Sequence, residues 1–196
     1  MPERLRLDEA PAWVAARLRG RTGTRWVGVD GFGAAGKSTL ARRIAARLPG
    51  SRIVAVDDFG RAGVRGWDRA LFTTSVLDPL RRGHRARYQH WDLSADVGRD
   101  WVEVPPGVPV VVEGVSATDD RVPVPWDVTI WLEVPFAVRR RRIAQRDPDP
   151  ASQERWRTDW WPSEQAYAAA QQPWTRVDAV VTVNDSAWTT TPSRSP

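Results

Sequence analysis

The fold is decided by the stretch Val27-Gly28-Val29-Asp30-Gly31-Phe32-Gly33-Ala34-Ala35-Gly36-Lys37-Ser38-Thr39-Leu40. Its centre matches the phosphate-loop pattern G-x-x-x-x-G-K-[ST]. A chain of phosphates needs several backbone N–H groups turned toward it, and only a backbone poor in Cβ atoms can wrap that tightly. The residues that we expect to hold the phosphates are Gly31, Phe32, Gly33, Ala34, Ala35, Gly36, Lys37, Ser38 and Thr39.

Both flanks of this glycine loop support the same interpretation. The apolar segment 25–29 before the loop predicts a buried strand, and segment 38–48 after it carries apolar residues at helical spacing. Strand, loop and helix in this order direct a helix N-terminus at a bound anion. A glycine-rich turn that matched the pattern by chance would not be expected to have this context.

Lysine usage provides a separate argument. Lys37 is the one lysine among the 29 lysines and arginines of the chain. A preference for arginine codons explains the other positions. It does not explain why the exception falls where a compact ammonium must lie among phosphates, a place that a larger planar guanidinium cannot take without moving the loop. We therefore predict a catalytic role for Lys37.

Length and composition limit the alternatives. At 196 residues we expect one domain over 1–188, with an N-terminal helix in 1–20 and a disordered tail at 189–196. Cysteine is absent, which excludes a disulfide framework, a thiolate metal site and a cysteine nucleophile. No apolar leader or membrane-spanning run is present, so we expect a cytoplasmic protein without a membrane partner. The net charge of +5 permits nucleic-acid binding but does not require it, and we do not expect it.

Strands and helices alternate along the rest of the chain. Five apolar segments predict buried strands, at 25–29, 52–56, 108–114, 127–134 and 179–183. This pattern predicts an α/β fold, a three-layer α/β/α sandwich around a five-stranded, mostly parallel sheet, with a small β-hairpin in 85–104. Ligands of such sheets bind at the carboxyl ends of the strands. The glycine loop, Asp57-Asp58 and Glu113 each follow a strand, so we expect them to share one edge of the sheet.

Acidic residues at this edge suit a metal and a base. Glu113 ends a run of valines and could hold Mg²⁺ with the Ser38 hydroxyl, directly or through water, although it could also simply face solvent. Asp57 and Asp58 are adjacent, and in extended chain their side chains point in opposite directions. One of them could take a proton from an attacking hydroxyl while the other caps the next turn. The sequence does not decide which of the two is the base.

An arginine-rich helix follows the predicted fourth strand. Arg139, Arg142 and Arg146 are spaced i, i+3 and i+7, so they share one helix face. Such a run could be a solvated basic face or a nucleic-acid patch. Beside a phosphate loop we interpret it as part of a lid, formed by 135–172 with the helix that follows, whose arginines neutralise charge on the transferred group.

Taken together, these motifs resemble the uridine kinase family and its phosphoribulokinase-like relatives among the P-loop kinases. The resemblance rests on the glycine loop and on the order of the motifs after it, which are Asp57-Asp58-Phe59, Trp67-Asp68, Tyr88-Gln89-His90-Trp91-Asp92, Val111-Val112-Glu113-Gly114-Val115 and Arg146-Asp147. It implies ATP and Mg²⁺ as cofactors, an arginine-rich helical lid, and Asp57 as the base for the acceptor hydroxyl. It further implies catalytic roles for Lys37 and Arg142, and substrate contacts from Asp58, Asp68, Tyr88, His90, Trp91, Arg139 and Arg146.

From the residues and the resemblance together, we predict an ATP-dependent small-molecule kinase that transfers the γ-phosphoryl group to a hydroxyl, first of all that of a uridine- or cytidine-like nucleoside. Two alternatives stay open. One is a kinase for another hydroxyl acceptor, such as a pantothenate-like or sugar-phosphate-like compound. The other is a non-catalytic module that binds nucleotide or RNA. The sequence also leaves open whether the protein forms a homo-oligomer.

Overall fold

The structure, a computed structural model, describes residues 1–93 and 95–183. The predicted disordered tail at 189–196 lies outside these residues. The strands are β1 (Glu3–Arg6), β2 (Arg25–Gly31), β3 (Arg52–Ala55), β4 (Ala86–Asp92), β5 (Val97–Val104), β6 (Pro109–Glu113), β7 (Val128–Glu133) and β8 (Ala179–Thr182). Six of them form one sheet in the order β1-β8-β7-β2-β6-β3, and every neighbouring pair is parallel. The predicted parallel α/β fold is therefore confirmed.

The sheet has six strands rather than the five expected from the sequence. The additional strand is β1, which pairs with β8 so that Leu5 lies opposite Val181. It forms an edge of the sheet, and three of its four residues are exposed. The charged segment Glu3-Arg4-Leu5-Arg6 lacks the apolar pattern that marks the interior strands. The first helix accordingly begins only at Ala10, inside the 1–20 segment that was predicted as helical.

Helices cover both faces of the sheet. They are α1 (Ala10–Leu18), α2 (Lys37–Ala45), α3 (Arg69–Phe72), α4 (Asp78–Arg81), α5 (Phe136–Arg146), α6 (Pro150–Arg155) and α7 (Trp161–Gln171). A π-helical turn at Thr73–Leu77 joins α3 to α4, and another at Trp156–Trp160 joins α6 to α7. Within the described residues, no helix has the length and apolar character needed to cross a bilayer.

Side chains of the central strands alternate between two hydrophobic cores. Val27 and Val29 of β2 pack with α1 and α2 on one face, while Trp26 packs on the other face with Val110 and Val112 of β6. All five residues of β6 are buried, as expected for a strand covered on both sides. Each core lies between the sheet and the helices on one of its faces, so the fold has three layers.

A separate antiparallel hairpin, β4–β5, packs against the segment that follows β3. Its register shifts between Gln89 and Trp91, which bends the strand at that point. Tyr88 of β4 turns into the second core, where its ring centroid lies 5.1 Å from that of Phe59. Phe59 belongs to the short helical turn Val56–Phe59 that follows β3. The hairpin is thereby fixed against the segment that carries Asp57 and Asp58.

Candidate active site

The glycine loop folds back on itself between β2 and α2. Gly31 and Gly36 have φ values of 149° and 99°, which L side chains rarely adopt. A Cβ at Gly31 would also lie 2.8 Å from the carbonyl oxygen of Leu132. Ala34 adopts a positive φ of 58° between them. Gly36 then directly precedes the first residue of α2, so the loop ends at a helix N-terminus as predicted.

Lys37, Ser38 and Glu113 lie together at this helix N-terminus. The Lys37 ammonium is largely buried and donates to the carbonyl oxygen of Phe32 at 2.9 Å, so it lies across the loop. The Ser38 hydroxyl lies close enough to the Glu113 carboxylate at the end of β6 to lower the pKa of that group. Burial raises the pKa of Glu113, whereas the nearby Ser38 hydroxyl and the Lys37 charge lower it. Paired hydroxyl and carboxylate oxygens are ligands that Mg²⁺ prefers, so the residues present fit this ion.

Asp57 and Asp58 have different surroundings. Asp58 is buried, accepts a hydrogen bond from the Trp91 backbone N–H at 3.1 Å, and has both oxygens 3.1 Å from His90 Nδ1. Asp57 stays accessible to solvent from the cleft. The protein that surrounds its carboxylate nevertheless raises the pKa of Asp57, against the charges of Lys37 and Arg146, which lower it. Of the two aspartates, Asp57 is the one left available to an incoming hydroxyl.

Two other residues that were predicted to bind the phosphate-accepting substrate, Asp68 and Tyr88, also stabilise the fold. Asp68 caps α3, because its Oδ1 accepts the Leu71 backbone N–H at 2.9 Å. Tyr88 is buried, and no hydrogen-bond partner for its hydroxyl occurs in the part of the chain that is described. Burial and the nearby Asp58 charge raise the pKa of Tyr88. Of the two residues, Asp68 retains a carboxylate oxygen for a ligand, because its cap of α3 uses only Oδ1.

Arg61 lies beside Trp91 and the backbone of Asp58, although the sequence did not indicate it as a site residue. Its guanidinium lies 3.6 Å from the ring centroid of Trp91 and donates to the backbone oxygen of Asp58 at 2.9 Å. This contact covers one face of Trp91 with a cation. Arg61 lies in an irregular loop, where no periodicity indicates which residues turn inward.

The three predicted lid arginines have different surroundings, and two of them, Arg139 and Arg142, contact the glycine loop. Arg142 Nη1 donates to the carbonyl oxygens of Ala34 and Ala35 at 3.2 and 3.3 Å. Arg146 pairs with Asp147 and lies close enough to Asp57 to lower the pKa of that carboxyl. Arg139 is buried, with its guanidinium 4.6 Å from the Phe32 ring centroid. It therefore packs against a residue of the loop, and among the described residues it makes no contact with His90 or Trp91 of the hairpin.

Sequence reasoning missed a buried carboxylate that holds the start of the loop. Asp30 is fully buried, and its Oδ1 accepts the backbone N–H groups of Gly31 and Ser116 at 2.7 and 3.0 Å. Its Oδ2 accepts the Thr118 N–H and hydroxyl at 3.0 and 2.7 Å and the Tyr167 hydroxyl at 2.7 Å. An aspartate inside an otherwise apolar strand was the available signal, because a buried carboxylate requires donors.

Comparison with known proteins defines the class. No protein-family model and no curated protein sequence matches the chain. A solved structure of a "putative fructose transport system kinase" from Silicibacter sp. TM1040 is similar, with a TM-score of 0.70 and 25% identity over 92% of this chain and 100% of that one. A "possible uridine kinase" from Bacillus stearothermophilus has a TM-score of 0.65 and 17% identity over 89% of this chain and 98% of that one. The chain thus has the fold of the P-loop kinases.

Within that class, the expected resemblance to the uridine kinase and phosphoribulokinase-like kinases is confirmed by these two structures. Both are described as kinases, which supports a phosphotransferase that acts on a small molecule. Their descriptions name different compounds, fructose in one and uridine in the other.

Proposed function

We propose that this protein is an ATP- and Mg²⁺-dependent kinase that transfers the γ-phosphoryl group to a hydroxyl of a small molecule, with a nucleoside as the first candidate. The observation that carries the proposal is the meeting of a phosphate loop and a cleft carboxylate. Lys37 and Ser38 follow β2, Asp57 follows β3 and Glu113 ends β6, and the Lys37 charge is close enough to both carboxylates to lower the pKa of each. A phosphate-binding module without catalysis has no need of the exposed carboxylate of Asp57 beside the loop.

The loop provides phosphate binding and charge neutralisation in this proposal. Backbone N–H groups of the glycine loop and the N-terminus of α2 bind phosphate oxygens, and Lys37 leaves the Phe32 carbonyl to reach the β- and γ-phosphates. Mg²⁺, when bound, is held by the Ser38 hydroxyl and by Glu113, directly or through water, and adds positive charge beside the phosphates. Arg142 holds the loop through two of its carbonyl groups, so the N–H groups stay directed at the nucleotide.

Asp57 acts on the acceptor. Its carboxylate takes the proton from the acceptor hydroxyl as that oxygen bonds to the γ-phosphorus. The bond between the γ-phosphorus and the bridging oxygen breaks, and ADP leaves with that oxygen. Asp58, held by His90 and the Trp91 backbone, fixes the hairpin that forms the acceptor side of the cleft.

A nucleoside is supported by the aromatic side chains of His90 and Trp91 on the hairpin and by the uridine kinase resemblance. A sugar is the second candidate, favoured by the similar structure described as a kinase of fructose transport, which has the higher identity of the two. Both candidates offer a primary hydroxyl and differ in whether a base has to be accommodated. Both candidates require the same phosphate loop and the same general base, Asp57.

The test is ADP release from Mg-ATP with uridine, cytidine, D-fructose and pantothenate in turn, against a blank without acceptor. We expect one of the nucleosides to stimulate release. Stimulation by fructose or pantothenate alone would reject the nucleoside and keep the kinase. Equal slow release in all tubes, together with strongly salt-dependent RNA binding, would reject the kinase in favour of the binding module.

Asp57→Asn is the matching variant, and Asp100→Asn on the exposed strand β5 is its control. We expect Asp57→Asn to keep ATP affinity and lower kcat by at least about 100-fold, because general-base catalysis contributes about 10²- to 10⁴-fold. Asp100→Asn should leave both quantities unchanged. Substantial transfer by Asp57→Asn would show that Asp57 is not the base.

A further inference from the structure

A carboxylate of the chain itself occupies part of the glycine loop. Glu164 lies in the first turn of α7, and its Oε1 accepts the Gly33 backbone N–H at 3.0 Å. The side chain is buried, at 5% relative exposure, and the two residues are far apart in the sequence. This contact therefore depends on the docking of α7 against the loop.

Gly33 N–H is one of the groups that such a loop offers to phosphate oxygens. A carboxylate oxygen accepts hydrogen bonds from backbone N–H groups in the same way as a phosphate oxygen. The nearby cations also suit an anion at this position. Lys37 and Arg139 both favour the charged form of Glu164, although burial outweighs them and raises the pKa of Glu164.

The space beside Gly33 contains more hydrogen-bonding groups than Glu164 satisfies. Arg139 Nη1 lies 3.7 Å from Glu164 Oε2, beyond hydrogen-bond distance. These two atoms and Trp156 Nε1 are buried without a hydrogen-bond partner among residues 1–93 and 95–183. A Cβ at Gly33 would lie 2.5 Å from Glu164 Oε1 and 3.7 Å from Trp156 Nε1, so the carboxylate and the indole border the same loop residue. An anion with more oxygens than a carboxylate could satisfy both donors.

The helix that carries Glu164 has a second attachment to the loop. Tyr167, one turn further along α7, donates its hydroxyl to Asp30 Oδ2 at 2.7 Å, and Asp30 accepts the Gly31 N–H. This attachment involves neither Gly33 nor Glu164. Displacing the Glu164 side chain from Gly33 therefore leaves this second attachment of α7 in place.

We propose that Glu164 is a resident anion of the glycine loop, which the phosphates of an incoming nucleotide displace from Gly33. Its departure leaves Arg139 and Trp156 as donors for the phosphate oxygens. The inference rests on the proposed function for the identity of the incoming anion. It adds a competitor within the chain that lowers the affinity for nucleotide.

The test is titration calorimetry of the full chain with Mg-ATP and, separately, with inorganic tripolyphosphate. Glu164→Gln removes the charge but keeps an oxygen that can accept from Gly33, whereas Glu164→Ala removes both. Because a hydrogen bond to a charged group is worth about one tenfold step in affinity or more, we expect Mg-ATP to bind roughly tenfold tighter to Glu164→Ala. Glu164→Gln should gain less, roughly threefold, since its amide oxygen must still be displaced.

Glu154→Gln is the control, because Glu154 is exposed on the neighbouring α6 and its loss should leave the affinity unchanged. Equal gains for Gln and Ala would indicate a general charge effect and overturn the displacement, as would unchanged or weaker binding by Glu164→Gln. Thermal unfolding establishes that each variant is folded, and the near-isosteric Gln variant decides the question if the Ala variant is not. Absence of binding of both ligands to every protein would instead overturn the proposed function itself.

Discussion

Asp30→Asn tests how the start of the glycine loop is held. The carboxylate is fully buried and accepts five hydrogen bonds, from Gly31, Ser116, Thr118 and Tyr167. Asparagine has nearly the same shape but replaces one acceptor oxygen with an NH₂ donor. If the remaining oxygen keeps the Gly31 and Ser116 N–H groups, the new NH₂ faces the donors that Oδ2 now satisfies.

The expected loss of stability follows from which of those donors can adapt. The hydroxyls of Thr118 and Tyr167 can rotate and accept from the NH₂, but the Thr118 backbone N–H cannot. One buried donor left unpaired costs about 1–3 kcal/mol, and weakening the bonds to a charged acceptor adds to this. We therefore expect a loss of about 3 kcal/mol, which for a chain of 196 residues lowers Tm by about 6–12 °C.

The assay is thermal unfolding followed by circular dichroism, with Tyr167→Phe as the matched variant. Tyr167→Phe removes one hydrogen bond and leaves no unpaired donor, so we expect a loss of about 1 kcal/mol, or about 2–4 °C. Two results would refute the reasoning. One is an Asp30→Asn protein as stable as the wild type, and the other is a Tyr167→Phe protein destabilised as much as Asp30→Asn.

Two further predictions concern the cleft carboxylates. The protein around the carboxylate raises the pKa of Asp57 although the residue is exposed, and a base acts only when unprotonated, so kcat/KM should fall on acidification at a higher pH than an ordinary aspartate would cause. A pH profile that stays flat down to about pH 4 would count against Asp57. Burial also raises the pKa of Glu113, so this carboxyl stabilises the folded state while it is protonated and loses that contribution as the pH rises through its folded pKa. Glu113→Gln should therefore raise Tm at neutral pH but not at about pH 4, and it should lower Mg²⁺-dependent transfer; a lower Tm at neutral pH would contradict this prediction.

The sequence could predict that the glycine loop, Asp57 and Glu113 lie close together, because each is marked by a local pattern and each follows or ends a parallel strand. The glycine loop has a specific spelling, Glu113 ends a run of valines, and Asp57 follows an apolar strand. Parallel strands bring such ends to one edge of the sheet. The structure accordingly brings Lys37, Ser38 and Glu113 together. Helical spacing likewise predicted the shared face of the lid arginines, of which Arg142 contacts the loop.

The remaining features depend on tertiary packing that no local pattern encodes. Strand β1 is short and exposed, so pairing with β8 rather than its own composition makes it a strand. Spacing placed Arg139 on the correct face but could not indicate that it would be buried against Phe32. Glu164 reaches Gly33 only because α7 docks on the loop, and its sequence context is that of an ordinary exposed helix residue.

The pairing of β1 with β8 has a consequence for biosynthesis. Residues 3–6 leave the ribosome long before residues 179–182, which are their only sheet neighbours among the described strands. The nascent chain can assemble the pairs β2–β6 and β3–β6 earlier, while the first strand still has no partner. Closing so long a loop costs chain entropy that local contacts do not offset. The β1 edge of the sheet is thus completed only after β8 has been synthesised, when the phosphate loop already has its flanking strand and helix.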